Sequence, residues 1–189
     1  IVADGIGRVL FTPPDGQREP RTWAIVTAPS NANDGQGQSR AALFARSIST
    51  VTARDDGATL ESTTLRATIR LVPFGIDWQQ NIDGVWQDCC RDRPSYAYGS
   101  ATRSGQLSHW QARDGNDQYF GLGDKTGPLN KAGRRLRTRQ LDALGYNGES
   151  SDPLYKHWPF FLGRRADTGS TYGVYYDTLR RRMFEDFGL

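Results

Sequence analysis

Apolar and polar residues along this chain recur with a period of two rather than 3.6. In TLRATIRLV, Leu65, Ala67, Ile69 and Leu71 fall on one side of an extended segment, while Arg66, Thr68 and Arg70 fall on the other. A strand produces this period because successive side chains leave opposite faces of the pleat. The segment is therefore predicted to be a strand with one dry and one wet face. Further strands are predicted over 6–12 (IGRVLFT), 21–28 (RTWAIVTA), 107–113 (LSHWQAR) and 171–178 (TYGVYYDT). WPFFLG, 158–163, is a short apolar run bounded by Pro and Gly.

Turn chemistry separates these runs: PPDG at 13–16, SNANDGQGQS at 30–39, RDDG at 54–57, DGNDQ at 114–118 and YNGESSDP at 146–153. Gly supplies positive φ, Pro presets φ, and Asn or Asp bonds its own backbone, so each cluster has a mechanism for reversing the chain. Helical signal is thin. AALFARSI, 41–48, has room for two turns, and the apolar groups of TLRRRMFEDFGL at 178–189 are too unevenly spaced to assign. No repeat of fixed period is present. Short strands with turns between them predict an all-β chain, folded as an antiparallel β-sandwich or a barrel. At 189 residues it is read as a single β domain, 1–189.

Composition agrees, with 37% hydrophobic residues and 21 Gly and 9 Pro to supply the turns. No window is long and apolar enough to cross a bilayer, so no membrane partner is expected. IVADGIGRVLF has no basic region followed by an apolar core, so no signal peptide is seen, although a trimmed chain would have lost one. FEDFGL, with no polar tail after it, reads as the edge of a piece of something longer. The formal charge is +3, and all basic residues except Lys125, Lys131 and Lys156 are arginine. They cluster at Arg134, Arg135, Arg137 and Arg139, and again at Arg180, Arg181 and Arg182. A nucleic-acid patch is one reading of these clusters. Solvated strand faces are the other, and the 21 scattered acidic residues weaken any long-range positive field, so no nucleic-acid partner is expected.

Candidate chemistry is sparse. Cys89 and Cys90 are adjacent, no third cysteine exists, and His109 and His157 lie far off in sequence. Neighbouring cysteines close a disulfide only in a strained ring, and a metal site needs more ligands. The pair reads as two reduced thiols in a cytoplasmic protein, with no metal and no cofactor. Each histidine stands beside a Trp, in LSHWQ and LYKHWP, which points to half-buried packing rather than to a general base. GLG at 121–123 belongs to neither a phosphate loop nor a dinucleotide fingerprint, and its glycines are read as sites of positive φ or close backbone approach. Among the carboxylates, Asp124 follows that turn, Asp142 follows a polar run, and Asp152 precedes Pro153 and is read as a turn cap. Tyr146, Tyr155, Trp158, Phe160, Phe161, Tyr172, Tyr175 and Tyr176 form an aromatic cluster. Core filling is expected for Phe160 and Phe161; for Tyr146 and Tyr155, core filling and a platform for sugar rings both stand.

The segment YFGLGDKTGPLNKAGRRLRTRQLDALGYNGESSDPLYKHWPFFLG, 119–163, resembles the N-terminal domain of family 31 glycoside hydrolases, the α-glucosidase family. The likeness lies in a GLGE-like turn at 121–124, a basic strand at 134–139, an Asn-x-Asp-like segment at 140–142, a PLY-x-x-x-PF-type motif at 153–160 and a YG-hydrophobic strand at 172–176. LRATIRLVPFGIDW, 65–78, and DRPSYAYG, 92–99, are similar to the family as well, so the likeness covers at least 65–178. The chain departs from the pattern at Asp124, where Glu is commoner, and at Gln140 and Leu141, where Asn and Thr are frequent.

The resemblance implies an antiparallel β-sandwich similar to galactose mutarotase, placed before a (β/α)₈ barrel that carries an aspartate nucleophile and an aspartate acid/base. No W-x-D-M-N segment of that barrel occurs here. What it implies is thus the non-catalytic domain of a retaining α-glucosidase, inactive alone, with its own C-terminal catalytic barrel as partner and an oligosaccharide or α-glucoside as substrate. Asp142 is implied as a substrate-binding residue on a loop, 138–146, that closes one wall of the pocket, with the PLYKHWPFF block anchoring that loop. A free-standing carbohydrate-binding module is the alternative, and a homo-oligomer is left open.

Overall fold

The structure, a computed structural model, describes residues 1, 3–12, 50–101, 104, 106–177 and 183–187. The strand expected over 21–28, the turns over 13–16 and 30–39 and the helix over 41–48 lie outside these residues. Among the described residues there is no helix, and every strand pairing is antiparallel. The all-β, antiparallel fold read from the period-two pattern is thus present. The chain divides into two compact units, Ile1–Arg113 and Asp114–Leu189.

In the first unit, β1 (Thr50–Arg54), β2 (Gly57–Glu61), β3 (Leu65–Leu71), β4 (Phe74–Ile82) and β5 (Val85–Asp92) form a meander. Short turns make this possible: Asp83 and Gly84 both have positive φ, at 52° and 85°, as a two-residue hairpin with Asp-Gly requires. β6 (Tyr98–Ala101) and β7 (Gln106–His109) form a separate hairpin, and β8 (Gln111–Ala112) returns to pair with β5. The run expected as one strand over 107–113 is therefore broken at Trp110. That residue's amide donates to Ala97 O at 2.8 Å and its carbonyl accepts from Arg93 N at 3.0 Å, so its backbone marks the change of partners. On β3 the buried face holds at Leu65 and Ala67 but lapses toward the far end, where Leu71 is 54% exposed beside the turn at Val72. The strand expected over 6–12 is not formed. Ile6 makes a single bridge to Ala3, and 7–12 has no ladder partner among the described residues, because alternation alone does not supply one.

In the second unit, β9 (Gln118–Gly121), β11 (Phe160–Arg164) and β12 (Thr171–Tyr175) make a sheet with β11 central. β10 (Arg135–Thr138) pairs with β13 (Met183–Asp186), which resolves the ambiguous C-terminal run as a strand there. Tyr119, Leu122, Leu136, Phe161 and Phe187 form the core. Tyr119 stacks on Phe187 at 4.6 Å between centroids, and Phe161 meets Phe187 edge-on at 5.2 Å. Phe160 is not in the core: at 39% exposure it faces away, because neighbours on a strand take opposite faces and Phe161 occupies the inner one. Arg165, beyond the end of β11, is buried and donates to Asp114 at 2.5 Å, to Asp167 at 2.9 Å and to Asp117 at 3.4 Å. The hydrogen bond to Asp167 and the surrounding carboxylates outweigh burial and raise its pKa, so the guanidinium stays charged.

Leu122 and Leu136 are fully buried. Leu122→Ala and Leu136→Ala should each cost about 2–5 kcal/mol, seen as a lower urea midpoint. Leu129→Ala, at a site 77% exposed, should stay within about 0.5 kcal/mol. Equal midpoints for all three would place the core elsewhere.

Candidate functional site

The GLG motif turns sharply. Gly121, Leu122 and Gly123 have φ of 118°, 67° and 80° in succession. A Cβ at Gly121 would stand 2.8 Å from Phe160 O, and one at Gly123 would stand 2.8 Å from Lys156 O. Both reasons proposed for these glycines, positive φ and close backbone approach, are realised. The turn is tied to the PLYKHWPFF block through Leu122 N to Phe160 O at 2.9 Å and Asp124 N to Lys156 O at 3.0 Å.

The turn delivers Lys125 to a protected position. Its side chain is 1% exposed, and its ammonium donates to Asp152 Oδ1 at 2.9 Å and to the Arg137 carbonyl. Asp152 in turn accepts from Arg137 N at 2.6 Å through Oδ2, and its own carbonyl accepts from the Arg137 guanidinium. Asp152 is therefore not the simple turn cap that its place before Pro153 suggests. Its carboxylate is 11% exposed and clasps the end of β10. Lys131, also buried, donates to Pro128 O at 2.6 Å, Thr126 O at 3.3 Å and Lys125 O at 3.4 Å, so one ammonium gathers three carbonyls of the loop 125–128. Burial, reinforced by Arg134 and Lys125, lowers its pKa.

The stretch from 139 to 153 is pinned at both ends. Leu141 N donates to Leu154 O at 3.1 Å, the Tyr155 hydroxyl to Ala143 O at 3.1 Å, Thr126 Oγ1 to Ser151 O at 2.7 Å and Gly127 N to Gly148 O at 3.0 Å. Within it, the Asn147 side-chain carbonyl accepts from Glu149 N at 2.8 Å and Ser150 N at 3.2 Å, a self-contained turn of the kind Asn favours. The anchoring role expected of 153–161 is thus visible in Leu154 and Tyr155.

The fold of this stretch borders an open concavity of about 760 Å³, whose lining includes Arg137, Arg139, Asp142, Tyr146, Ser150 and Asp152. That volume suits a small ligand. Asp142 is exposed at its edge and makes no hydrogen bond to another described residue. Of the three carboxylates singled out from sequence, Asp142 and Asp152 line this hollow and Asp124 does not. Tyr146 and Tyr155 are 53% and 41% exposed and meet edge-on at 6.3 Å, so neither is a core residue.

Neither histidine is among the residues that line the hollow. His109 Nε2 is 2.8 Å from Asp92 Oδ1, Asp92 Oδ2 accepts from Ile76 N at 2.9 Å, and the imidazole stacks on Tyr98 at 4.7 Å. His157 is half-buried, and burial, with the Lys125 charge adding to it, lowers its pKa. Sequence reasoning missed Lys125, Lys131 and Arg137. A signal existed: only three lysines occur in an arginine-rich chain, and two of them hold backbone carbonyls from buried positions. A compact ammonium with three rotatable donors does this where a planar guanidinium would not fit.

Among known proteins, residues 1–185 match the family described as the glycosyl hydrolase 31 N-terminal galactose mutarotase-like domain. Over 84 residues the chain is 30% identical to alpha-glucosidase 2 of Bacillus thermoamyloliquefaciens, a match covering 44% of this chain and 10% of that protein. A Flavobacterium johnsoniae family 31 dextranase, solved in complex with glucose, superposes with a TM-score of 0.62 at 25% identity, over 74% of this chain and 16% of that one. A mutant of the same dextranase with isomaltotriose superposes with a TM-score of 0.62 at 24% identity, over the same 74% and 16%. This chain therefore spans only a small part of either relative's length. All-β, antiparallel and matched almost from end to end, it belongs to the glycosyl hydrolase 31 N-terminal galactose mutarotase-like domain family.

Proposed function

We propose that this chain is the non-catalytic N-terminal β-sandwich domain of a retaining α-glucosidase that releases terminal α-linked glucose, and that it lends the loop 138–146 to one wall of the substrate pocket. The observation that carries this reading is the exposed Asp142 carboxylate, without a hydrogen bond among the described residues, in the lining of a concavity whose other acid is already committed. A retaining glycosidase needs two free carboxyls about 5 Å apart. Asp152 is spent on Lys125 and Arg137, so among the described residues the hollow offers one carboxylate without such a partner. One carboxylate does not make a hydrolytic pair, but it accepts from two adjacent sugar hydroxyls at once and so fixes the orientation of a ring. The catalytic pair is then supplied by a partner, the polypeptide's own C-terminal barrel, whose strand-end loops form an open bowl that a neighbouring domain closes. The α-glucosidase and dextranase relatives, each much longer than the matched stretch, support this division of labour.

A second reading, a free-standing carbohydrate-binding module, has one observation in its favour: Tyr146 and Tyr155 present exposed aromatic surface beside the hollow.

In the complete enzyme, Asp142→Ala should lower kcat/KM on maltose by about 5- to 150-fold, the equivalent of about 1–3 kcal/mol. Unchanged kcat/KM on maltose and on longer oligosaccharides would remove Asp142 from the site. The 189-residue chain alone should release no p-nitrophenol from its α-glucoside and give no calorimetric signal with millimolar maltooligosaccharide. Heat of binding at that concentration would favour the second reading. Asp152→Ala strands the Lys125 charge in a site where that side chain is 1% exposed and should cost about 3–5 kcal/mol in urea unfolding. Adding Lys125→Met should recover part of the loss, and a purely additive double mutant would show that the clasp is not coupled.

A further inference from the structure

Charges of both signs line the hollow, and they do not cancel. Arg137 and Arg139 are positive, Asp142 and Asp152 negative. The buried Lys125 ammonium, 2.9 Å from Asp152 Oδ1, is a third positive charge. Three positive charges against two negative leave a surplus of one. The strand sets where the two guanidiniums start. From 135 to 139 exposure alternates: Arg135, Arg137 and Arg139 are exposed, while Leu136 and Thr138 are buried. Alternate residues of an extended segment share a face and stand roughly 6–7 Å apart. Arg137 is held in place. Its Nη2 donates to the Asp152 carbonyl and its Nε lies 3.7 Å from Asp152 Oδ2, yet its side chain is 55% exposed. Its Nη1 has no partner among the described residues. Arg139 has no hydrogen bond or ion pair to any described residue, Asp142 included.

One exposed arginine is ordinarily only solvated. Two on the same face, in the lining of one concavity and with Asp142 beside them, form a set of donors and an acceptor that a ligand completes. A guanidinium accepts nothing and donates through a planar fork, the geometry that a carboxylate meets with two parallel hydrogen bonds. A surplus of one charge matches a monoanion. A phosphate monoester, nearly a dianion at neutral pH, would exceed that surplus and meet the Asp142 charge. A neutral sugar would leave the surplus to solvent ions.

We propose that Arg137 and Arg139 form a carboxylate subsite in the hollow, and that the substrate class is an α-glucoside whose aglycone is a sugar acid. This rests on the α-glucosidase reading above. In that reading the sugar released is terminal glucose, which carries no charge, so the acid belongs to the part of the substrate left behind. Asp142 accepts from ring hydroxyls, and the two guanidiniums donate to the carboxylate. Arg139 is then the residue that separates acidic from neutral substrates, because Arg137 is partly spent on Asp152.

The test compares two substrates of the complete enzyme. Maltobionate and maltitol carry the same α-linked glucose on an open-chain aglycone, which ends in a carboxylate in the first and an alcohol in the second. The kcat/KM on maltobionate should exceed that on maltitol by about tenfold or more, and the ratio should fall as salt is raised. Arg139→Gln should bring the ratio close to one, and Arg139→Lys should keep part of it, since a point charge lacks the fork. The urea midpoint of Arg139→Gln should match that of the parent, because the side chain bonds to no described residue. A parent ratio near one, or a ratio that Arg139→Gln leaves unaltered, would overturn the proposal. An enzyme that hydrolyses neither maltose nor these two substrates would sink the α-glucosidase reading instead, and a titration of the 189-residue chain then decides the subsite. In nuclear magnetic resonance, gluconate should shift the Arg137 and Arg139 Nε signals saturably, and sorbitol should not. No shift with gluconate, or an equal one with sodium chloride at the same ionic strength, would overturn the subsite.

Discussion

A buried ammonium must have its charge and its donors met, and the candidate site is organised around that demand. Lys125 sits at 1% side-chain exposure between the Asp152 carboxylate and the Arg137 carbonyl. Desolvating such a group without partners costs far more than a single hydrogen bond returns. Asp152 therefore stays where Lys125 is, and the chain on either side of Asp152 is held with it. Arg137 N and the Arg137 guanidinium complete the clasp, so the end of β10 and the approach to Pro153 are locked together across a sequence separation of fifteen.

What lies between those two anchors forms the wall of the hollow. It contains little apolar material for a core: Leu144 is 84% exposed and Tyr146 53% exposed. Its shape comes from polar closure instead, through the Asn147 turn, Thr126 to Ser151, and Tyr155 to Ala143. A loop built this way leaves Asp142 exposed at little cost, because no bond to another described residue requires that carboxylate. The core of the same unit follows the opposite logic. Tyr119, Phe161 and Phe187 interlock as rings and leave the sheet β12-β11-β9 to be positioned by apolar contact.

Two buried-charge solutions recur in this unit and differ in kind. Arg165 meets three carboxylates with a planar fork and ties the chain after β11 to the residues before β9. Lys131 meets three backbone carbonyls with a compact point charge. The difference is that of the two side chains, and it explains why a chain so rich in arginine retains lysine at 125 and 131.

Sequence alone determined the class of fold, because a period of two is a property of strands that no tertiary context is needed to reveal. It is visible at Leu65 and Ala67, and the glycines of the GLG motif likewise point to positive φ or close backbone approach by themselves. The family was legible too, since the words between 119 and 163 stand in order. Tertiary structure decided what local pattern does not encode: which strands find partners, that 7–12 has no ladder partner among the described residues, and which of Phe160 and Phe161 faces inward. It also decided that Asp152 is engaged while Asp142 has no partner among the described residues, since a carboxylate's role depends on the charge that meets it, and Lys125 meets Asp152 from 27 residues away. The slip of register between Trp78 and Gln79 is of the same kind, because register exists only between two strands.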